Sequence, residues 1–76
     1  MDTISIIGAG GWGTALSAII AHNGCHVRMW ARRKELVEIL NRDRVNHQYL
    51  PGIQIPKSVF ITDKLAEAAE ADIIFS

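Results

Sequence analysis

The feature that most constrains the fold of this chain is a glycine-rich segment close to its first residues. Residues 8–13 read Gly-Ala-Gly-Gly-Trp-Gly, which matches the spacing G-x-G-x-x-G. The β-branched run Thr3–Ile7 precedes this segment, and apolar residues follow it at helical spacing, at positions 12, 15, 16, 19 and 20. Glycines between a strand and a helix allow a tight turn, close packing of the helix, and close approach of a pyrophosphate to the backbone. The segment therefore predicts a strand, a phosphate-binding turn and a helix in succession.

The remaining sequence alternates between strand and helix patterns. Strand patterns occupy residues 26–30, 59–62 and 72–76, and helix patterns occupy residues 34–41 and a short stretch capped by Thr62 or Asp63. The order β-α-β-α-β-α-β, with crossovers too long for hairpins, predicts an α/β fold with a doubly wound parallel sheet. The expected strand order is 3-2-1-4, as in part of a Rossmann fold.

Two connecting segments carry turn signals. Asn23 and Gly24 are expected to close the first helix in left-handed conformations. Residues 45–58 contain both prolines and Gly52, so we expect an irregular, partly apolar loop there.

The predicted last strand has consequences for completeness and assembly. A doubly wound sheet normally continues past its fourth strand, so we expect residues 1–76 to form an incomplete dinucleotide-binding domain, truncated before the later strands. The expected order also leaves the apolar residues Ile73, Ile74 and Phe75 on an open sheet edge, which is a site of association. We therefore expect a homo-oligomer that forms through this edge.

Composition excludes several classes of partner. Eight basic residues balance eight acidic ones, so nucleic acid is not an expected partner. No apolar run approaches the ~20 residues of a membrane span, and the first residues lack the pattern of a signal peptide. The single cysteine, Cys25, is consistent with a reducing compartment and a half-buried structural role, so we expect a cytoplasmic protein. Gly24 separates His22 from His26, so we expect no metal site.

A basic pair replaces the acid that usually follows the second strand of such a unit. Ala31 occupies that position and is followed by Arg32 and Arg33. An acid would accept hydrogen bonds from ribose hydroxyls and repel a 2′-phosphate, and alanine does neither. Guanidinium groups donate paired N–H bonds to phosphate or stack on adenine, so we expect a site for NADP or NAD that admits the phosphorylated cofactor. The alternative is that Arg32, Arg33 and Lys34 form a solvated helix start.

Three longer stretches carry a more specific resemblance. They are IIGAGGWGTAL at residues 6–16, NGCHVRMWARR at 23–33 and NRDRVNHQYLPGIQIP at 41–56. Together they resemble the N-terminus of NAD(P)-dependent sn-glycerol-3-phosphate dehydrogenase. That family of oxidoreductases interconverts dihydroxyacetone phosphate and sn-glycerol 3-phosphate, which serves phospholipid biosynthesis. The resemblance covers essentially the whole chain but only the first part of such an enzyme.

The resemblance implies a set of cofactor contacts and leaves two alternatives open. The implied contacts are Gly8, Gly10, Gly11, Trp12, Gly13, Arg32, Arg33 and Tyr49. Gly11 departs from the serine that the family often has, and Trp12 is equally compatible with core packing. The catalytic lysines and helical substrate domain of the family are implied to lie beyond Ser76, so we expect no catalytic residue and no activity in this chain alone. The alternatives are another dehydrogenase of the hydroxyacid or 6-phosphogluconate type, and a non-catalytic nucleotide-binding module.

Overall fold

The computed structural model describes residues 2–71 and 73–75 of the chain. Within these residues the strands are β1 (Thr3–Ile7), β2 (His26–Trp30), β3 (Val45–Asn46), β4 (Leu50–Gln54), β5 (Phe60–Thr62) and β6 (Ile73–Phe75). The helices are α1 (Gly11–His22), α2 (Lys34–Asp43) and α3 (Leu65–Ala68). The longest helix has 12 residues, and no helix in this part of the chain has the length and apolar character that a membrane span requires. Of the predicted last strand, residues 72 and 76 lie outside the described residues.

The main sheet has four parallel strands in the order β5-β2-β1-β6. This order confirms the predicted 3-2-1-4 arrangement of an α/β doubly wound sheet. Strand β1 is central, with Ile4 opposite Val27 of β2 on one side and opposite Ile73 of β6 on the other. Because parallel strands end at the same edge of a sheet, the glycine-rich turn after β1 lies beside the ends of β2 and β6.

The core lies between this sheet and the helices. Its buried apolar side chains include Ile4, Ile6, Val27, Met29, Ala31, Leu40, Ile55, Val59 and Ile61. Two buried hydroxyls also have partners: Ser5 of β1 donates to the carbonyl of Ala68 in α3, and Ser17 of α1 donates to the Met29 sulfur at 3.3 Å. Because a buried polar group without a partner is costly, these contacts specify how α1 and α3 dock on the sheet. Cys25 is half buried against this core.

Helix α1 buries only part of the face that its apolar pattern predicts, since Leu16 and Ile20 pack against the core. Ile19, which belongs to the same apolar pattern, is 60% exposed, and Trp12, for which the sequence left core packing and a cofactor contact equally open, is 79% exposed. Thr14 and Ser17 are fully buried instead. A Cβ atom at Gly13 would lie 2.2 Å from a carbonyl oxygen of the preceding turn, so the helix packs through its small residues. The close approach buries these small residues beside Leu16 and Ile20 and leaves Trp12 and Ile19 at the surface.

The ends of the helices differ from the predictions at two points. Gly24 has a φ of 91°, but Asn23 has a φ of −84° and is not left-handed. Helix α2 continues past Asn41 to Asp43, and the φ of 57° at its C-cap residue, Arg44, was not expected. The guanidinium of Arg44 donates to the carbonyl of Val59 at 2.8 Å, which anchors this left-handed residue to the following segment.

Residues 45–58 are more regular than the predicted loop. Strands β3 and β4 pair antiparallel in a second, two-stranded sheet, which we call the hairpin (residues 45–54). Pro51 and Gly52 obscure the strand signal because both residue types are depleted in strands, yet an edge strand tolerates them. The N–H of Ile55 donates to the Arg44 carbonyl at 2.7 Å and closes the base of the hairpin, and β4 packs against α1.

Candidate functional site

The glycine-rich turn lies at the carboxyl edge of the main sheet, between β1 and α1. Gly8 has a φ of 122°, which L side chains rarely adopt, and its N–H donates to the Trp30 carbonyl of β2 at 2.8 Å. Gly10 is the N-cap residue of α1, and no side chain caps this helix. The N–H groups of the first helical turn therefore have no partner within the helix. Together with the helix dipole, they form a site that attracts an anion.

Gly10 shows that packing alone does not account for the glycines of this turn. Gly8 is required by its backbone conformation, and Gly13 by the 2.2 Å separation between a Cβ atom there and the Gly8 oxygen. A Cβ atom at Gly10 would meet nothing within 4 Å, and the φ of −74° suits any residue. The fold has no need of glycine at this position, whereas a phosphate group that approaches the backbone does. The turn therefore fits a pyrophosphate.

Two clefts open from the turn and share Gly8 and Gly10. One, of about 310 Å³, extends over the end of β2 and reaches Arg32, Arg33 and Tyr49. The other, of about 230 Å³, extends toward β6 and reaches Trp12, Gly13 and Phe75. One cleft on each side of an anion-attracting turn suits an extended ligand with a central diphosphate and a group at each end.

The cleft over β2 has no acceptor for ribose hydroxyls at the expected position. Ala31 is only 3% exposed, and its N–H donates to the Thr62 carbonyl at 3.1 Å. Arg32 and Arg33 are exposed, and neither guanidinium has a carboxylate partner within residues 2–71 and 73–75. Arg33 is also the N-cap residue of α2, where the helix dipole disfavours positive charge. A bound phosphate would offset this repulsion and pair with the guanidinium groups.

The cleft toward β6 has apolar aromatic walls. The exposure of Trp12 rules out the core-packing alternative, and Trp12 lines this cleft. Phe75, which sequence reasoning missed as a site residue, lines the same cleft. Its position follows from the strand register, in which Phe75 lies opposite Ile6 at the end of β1. A planar ring could stack or pack edge-on against these side chains.

Gly11 lines neither cleft and lies against the hairpin instead. A Cβ atom at Gly11 would be 2.9 Å from the backbone oxygen of Tyr49. Beside it, the fully buried side chain of Asn46 donates to the Ala9 carbonyl at 2.8 Å and to the Thr14 hydroxyl at 2.9 Å. Sequence reasoning missed Asn46, because the signal of an asparagine that begins a turn does not distinguish it from other loop asparagines.

Two further clefts in the described part of the chain are not lined by residues of the glycine turn. One, of about 390 Å³, lies beside α2 and includes Arg42, Asp43 and His47. The hydrogen bonds from Arg42 and His47 hold the pKa of Asp43 at about 2, so these charges are already paired. The other, of about 400 Å³, lies between α1 and the end of β4, near His22 and Pro56. Neither offers the unpaired N–H groups of the turn, although both are larger.

Comparison with known proteins connects this geometry to one family. Residues 3–76 match the family described as NAD-dependent glycerol-3-phosphate dehydrogenase N-terminus. The chain is 49% identical over 71 residues to the glycerol-3-phosphate dehydrogenase (NAD(P)+) of Parvibaculum lavamentivorans, which covers 93% of this chain and 21% of the relative. It is 45% identical over 74 residues to the enzyme of the same name from Halalkalibacterium halodurans, covering 97% of this chain and 21% of the relative. The chain therefore spans about a fifth of the length of these relatives.

Solved structures of glycerol-3-phosphate dehydrogenases also match this chain. The crystal structure of glycerol-3-phosphate dehydrogenase from Coxiella burnetii matches with a TM-score of 0.86 and 36% identity, over 96% of this chain and 23% of that one. The glycerol-3-phosphate dehydrogenase of Saccharomyces cerevisiae matches with a TM-score of 0.83 and 31% identity, over 95% of this chain and 24% of that one. The parallel sheet with its glycine turn is thus shared with these structures.

Proposed function

Because the chain belongs to the family of NAD-dependent glycerol-3-phosphate dehydrogenase N-termini, we propose that it binds NADPH or NADH across its glycine turn. In this proposal residues 1–76 form part of an NAD(P)-binding domain in an enzyme that interconverts dihydroxyacetone phosphate and sn-glycerol 3-phosphate. The observation that carries the proposal is Gly10, where the fold leaves open space over the backbone at the start of α1.

The residues of the turn supply the first part of the binding site. The diphosphate lies against Gly10 and accepts hydrogen bonds from the unpaired N–H groups of the first turn of α1. Gly8 and Gly13 shape this turn, and Gly11 lets the hairpin approach it. The two clefts then separate the ends of the cofactor, which fixes its direction across the edge of the sheet.

The adenosine end occupies the cleft over β2. Arg32 and Arg33 donate to a 2′-phosphate or stack on the adenine, and Tyr49 lines the same cleft. Because Ala31 neither accepts from a ribose nor repels a phosphate, this cleft admits the phosphorylated cofactor.

The nicotinamide end occupies the cleft toward β6. Trp12 and Phe75 line this cleft and would pack against the nicotinamide ring. When bound, the reduced nicotinamide supplies a hydride to a carbonyl carbon. The groups that hold the substrate and transfer its proton belong to other parts of the enzyme, so residues 1–76 alone are expected to be inactive.

Substitution of the basic pair tests the assignment of the adenosine end. We expect the double substitution Arg32→Ala and Arg33→Ala to weaken NADPH binding by about tenfold or more, because each charge-assisted hydrogen bond contributes about 1.5–3 kcal/mol. NADH binding should weaken less, since it lacks the 2′-phosphate. Lys34→Ala is the matched control, because Lys34 begins α2 but does not line the cleft. Fluorescence titration measures both affinities. Equal losses for the two cofactors would show that the positive charge of Arg32 and Arg33 attracts any anionic dinucleotide and does not recognise the 2′-phosphate.

Self-association through β6 is the second element of the proposal. Among the described strands β6 pairs only with β1, and Ile74 is 52% exposed on the far edge of the sheet. Sedimentation velocity should show dimers that Ile74→Lys dissociates, because a charge on an edge strand opposes pairing. A monomer at every concentration would contradict this. The cytoplasmic location expected from the sequence stays a prediction.

A further inference from the structure

The side chain of Asn46 makes an unusual set of contacts for a residue outside the turn. Its relative exposure is 0%, and it belongs to the short strand β3 of the hairpin. Both hydrogens of its amide are used, one on the Ala9 carbonyl at 2.8 Å and one on the Thr14 hydroxyl at 2.9 Å. Its oxygen accepts from the Tyr49 N–H at 3.3 Å. One buried amide therefore joins the glycine turn, the start of α1 and the hairpin.

The bond to Ala9 controls the orientation of a peptide group within the turn. The Ala9–Gly10 peptide is trans, so its carbonyl and the Gly10 N–H point in opposite directions within one plane. When Asn46 holds the Ala9 carbonyl on the hairpin side, it also sets the direction of the Gly10 N–H. The bond to Thr14 holds the first turn of α1 in the same way. Asn46 thus orients the donors that face the open space over Gly10.

The bond from Tyr49 controls the other wall of the site. Asn46 holds the backbone of Tyr49 so that the Tyr49 carbonyl lies directly against Gly11, where a Cβ atom would come within 2.9 Å of it. The Tyr49 side chain is 49% exposed and lines the cleft of Arg32 and Arg33. A shift of the hairpin would therefore move this wall relative to the turn.

We infer that Asn46 is a positioning residue for dinucleotide binding, which acts through the Ala9–Gly10 peptide, Thr14 and Tyr49 without contact with the ligand. The inference rests on the proposed function above. It predicts that loss of the Asn46 amide weakens NADH and NADPH by the same factor, because the amide orients the turn and the hairpin and touches no 2′-phosphate. The expected factor is about tenfold, the equivalent of one to two hydrogen bonds that are no longer well aligned.

The experiment compares Asn46→Ala with Asn41→Ala in the 76-residue chain. Asn41 is a matched control because its side-chain amide also donates to a backbone carbonyl, that of Ile61 at 3.2 Å, away from both clefts. Each variant is titrated with NADH and with NADPH, with energy transfer from tryptophan as the signal, at a temperature well below its own unfolding midpoint. We expect Asn46→Ala to weaken both cofactors equally and Asn41→Ala to leave both unchanged.

A double-mutant cycle separates positioning from general stability. If Asn46 acts partly through Tyr49, the losses from Asn46→Ala and Tyr49→Ala are less than additive in the double variant. If Asn46→Ala does not fold, Thr14→Val removes one acceptor of the same amide with little change in shape. Thr14→Val should weaken both cofactors equally and by less than Asn46→Ala.

The possible outcomes distinguish the two proposals. Wild-type protein that binds the cofactors, together with Asn46→Ala or Thr14→Val variants that bind as tightly as wild type, overturns the role of Asn46 and leaves the proposed function intact. Folded wild-type protein that binds neither cofactor overturns the proposed function, and the role of Asn46 with it. Equal losses in the two asparagine variants also overturn the inference, because a general loss of stability would explain them.

Discussion

The glycine turn and the hairpin lie in contact, yet their shapes have different physical origins. The path of the turn is set by its own residues, since the backbone at Gly8 has a φ of 122° and Gly13 must lack a Cβ atom, and Asn46 adds only the orientation of the Ala9–Gly10 peptide. The hairpin has weak strand residues and owes its position to distant contacts, above all the buried amide of Asn46. The glycine turn is recognisable from the spacing of its glycines in the sequence. The hairpin is not, because its structure depends on the residues that pack against it. The predictions below test this difference, from the largest expected effect to the smallest.

The largest effect is expected for Gly13→Ala in the turn. The new Cβ atom would lie 2.2 Å from the Gly8 backbone oxygen, so α1 would have to move away from β1. We expect a loss of about 3 kcal/mol in the free energy of unfolding, the upper range for overpacking a close contact. Urea denaturation followed by tryptophan fluorescence measures this loss. A stability equal to that of wild type would show that the turn is not constrained by its own packing.

A smaller effect is expected for Gly52→Ala in the hairpin. Gly52 has a φ of 92°, which strains any L side chain, but a Cβ atom there would meet nothing within 4 Å. We expect the unfolding free energy to fall by about 1–2 kcal/mol, the cost of a left-handed conformation without a clash. Gln48→Ala, at an exposed hairpin position with a negative φ, is the control in the same denaturation experiment. A loss as large as that of Gly13→Ala would remove the contrast between the two regions.

The smallest effect is expected where the hairpin meets the end of α2. The pKa of Asp43 is lowered from 3.8 to about 2 by hydrogen bonds from Arg42 and from His47 of the hairpin. Because the folded pKa lies below the unfolded one, Asp43 stabilises the fold above about pH 4, and this contribution disappears as the pH falls from about 4 to 2. The stability difference between wild type and Asp43→Asn should therefore shrink across that range.

Carboxyl titration by NMR checks this prediction directly. Solvent screening keeps the stability effect small, so the Asp43 midpoint is the sharper readout. Glu38→Gln is the control, because Glu38 lies on the same helix and forms no ion pair in the described part of the chain. An Asp43 midpoint near 3.8 would mean that neither Arg42 of α2 nor His47 of the hairpin bonds the Asp43 carboxylate in solution.

The same contrast explains how much of the fold could be predicted from the sequence. The four parallel strands and their order follow from the period of apolar residues and from the glycine spacing, which are local signals. The buried face of α1 could be predicted only in part: Leu16 and Ile20 pack on the core as the apolar pattern indicates, but the close approach at Gly13 also buries Thr14. The hairpin was hidden by Pro51 and Gly52, whose cost is offset by packing against α1.

The candidate site divides in the same way. Arg32 and Arg33 could be named from their place after the second strand and Tyr49 from the family resemblance, and the structure brings the three into one cleft. Phe75 and Asn46 could not, because the first depends on the register between β6 and β1 and the second on contacts across more than thirty residues. The contacts of Arg32, Arg33 and Tyr49 with the cofactor remain predictions.

The central claim, that the turn binds a nicotinamide dinucleotide, is tested most directly at Gly10. A Cβ atom there meets nothing in the protein, so Gly10→Ala should keep the unfolding free energy within about 1 kcal/mol of wild type. Titration of both proteins with NADPH should then show saturable binding to wild type and a loss of about tenfold or more in the variant, since the methyl group occupies the space of the diphosphate. Equal affinity in the two folded proteins, or no binding to either, would contradict the account.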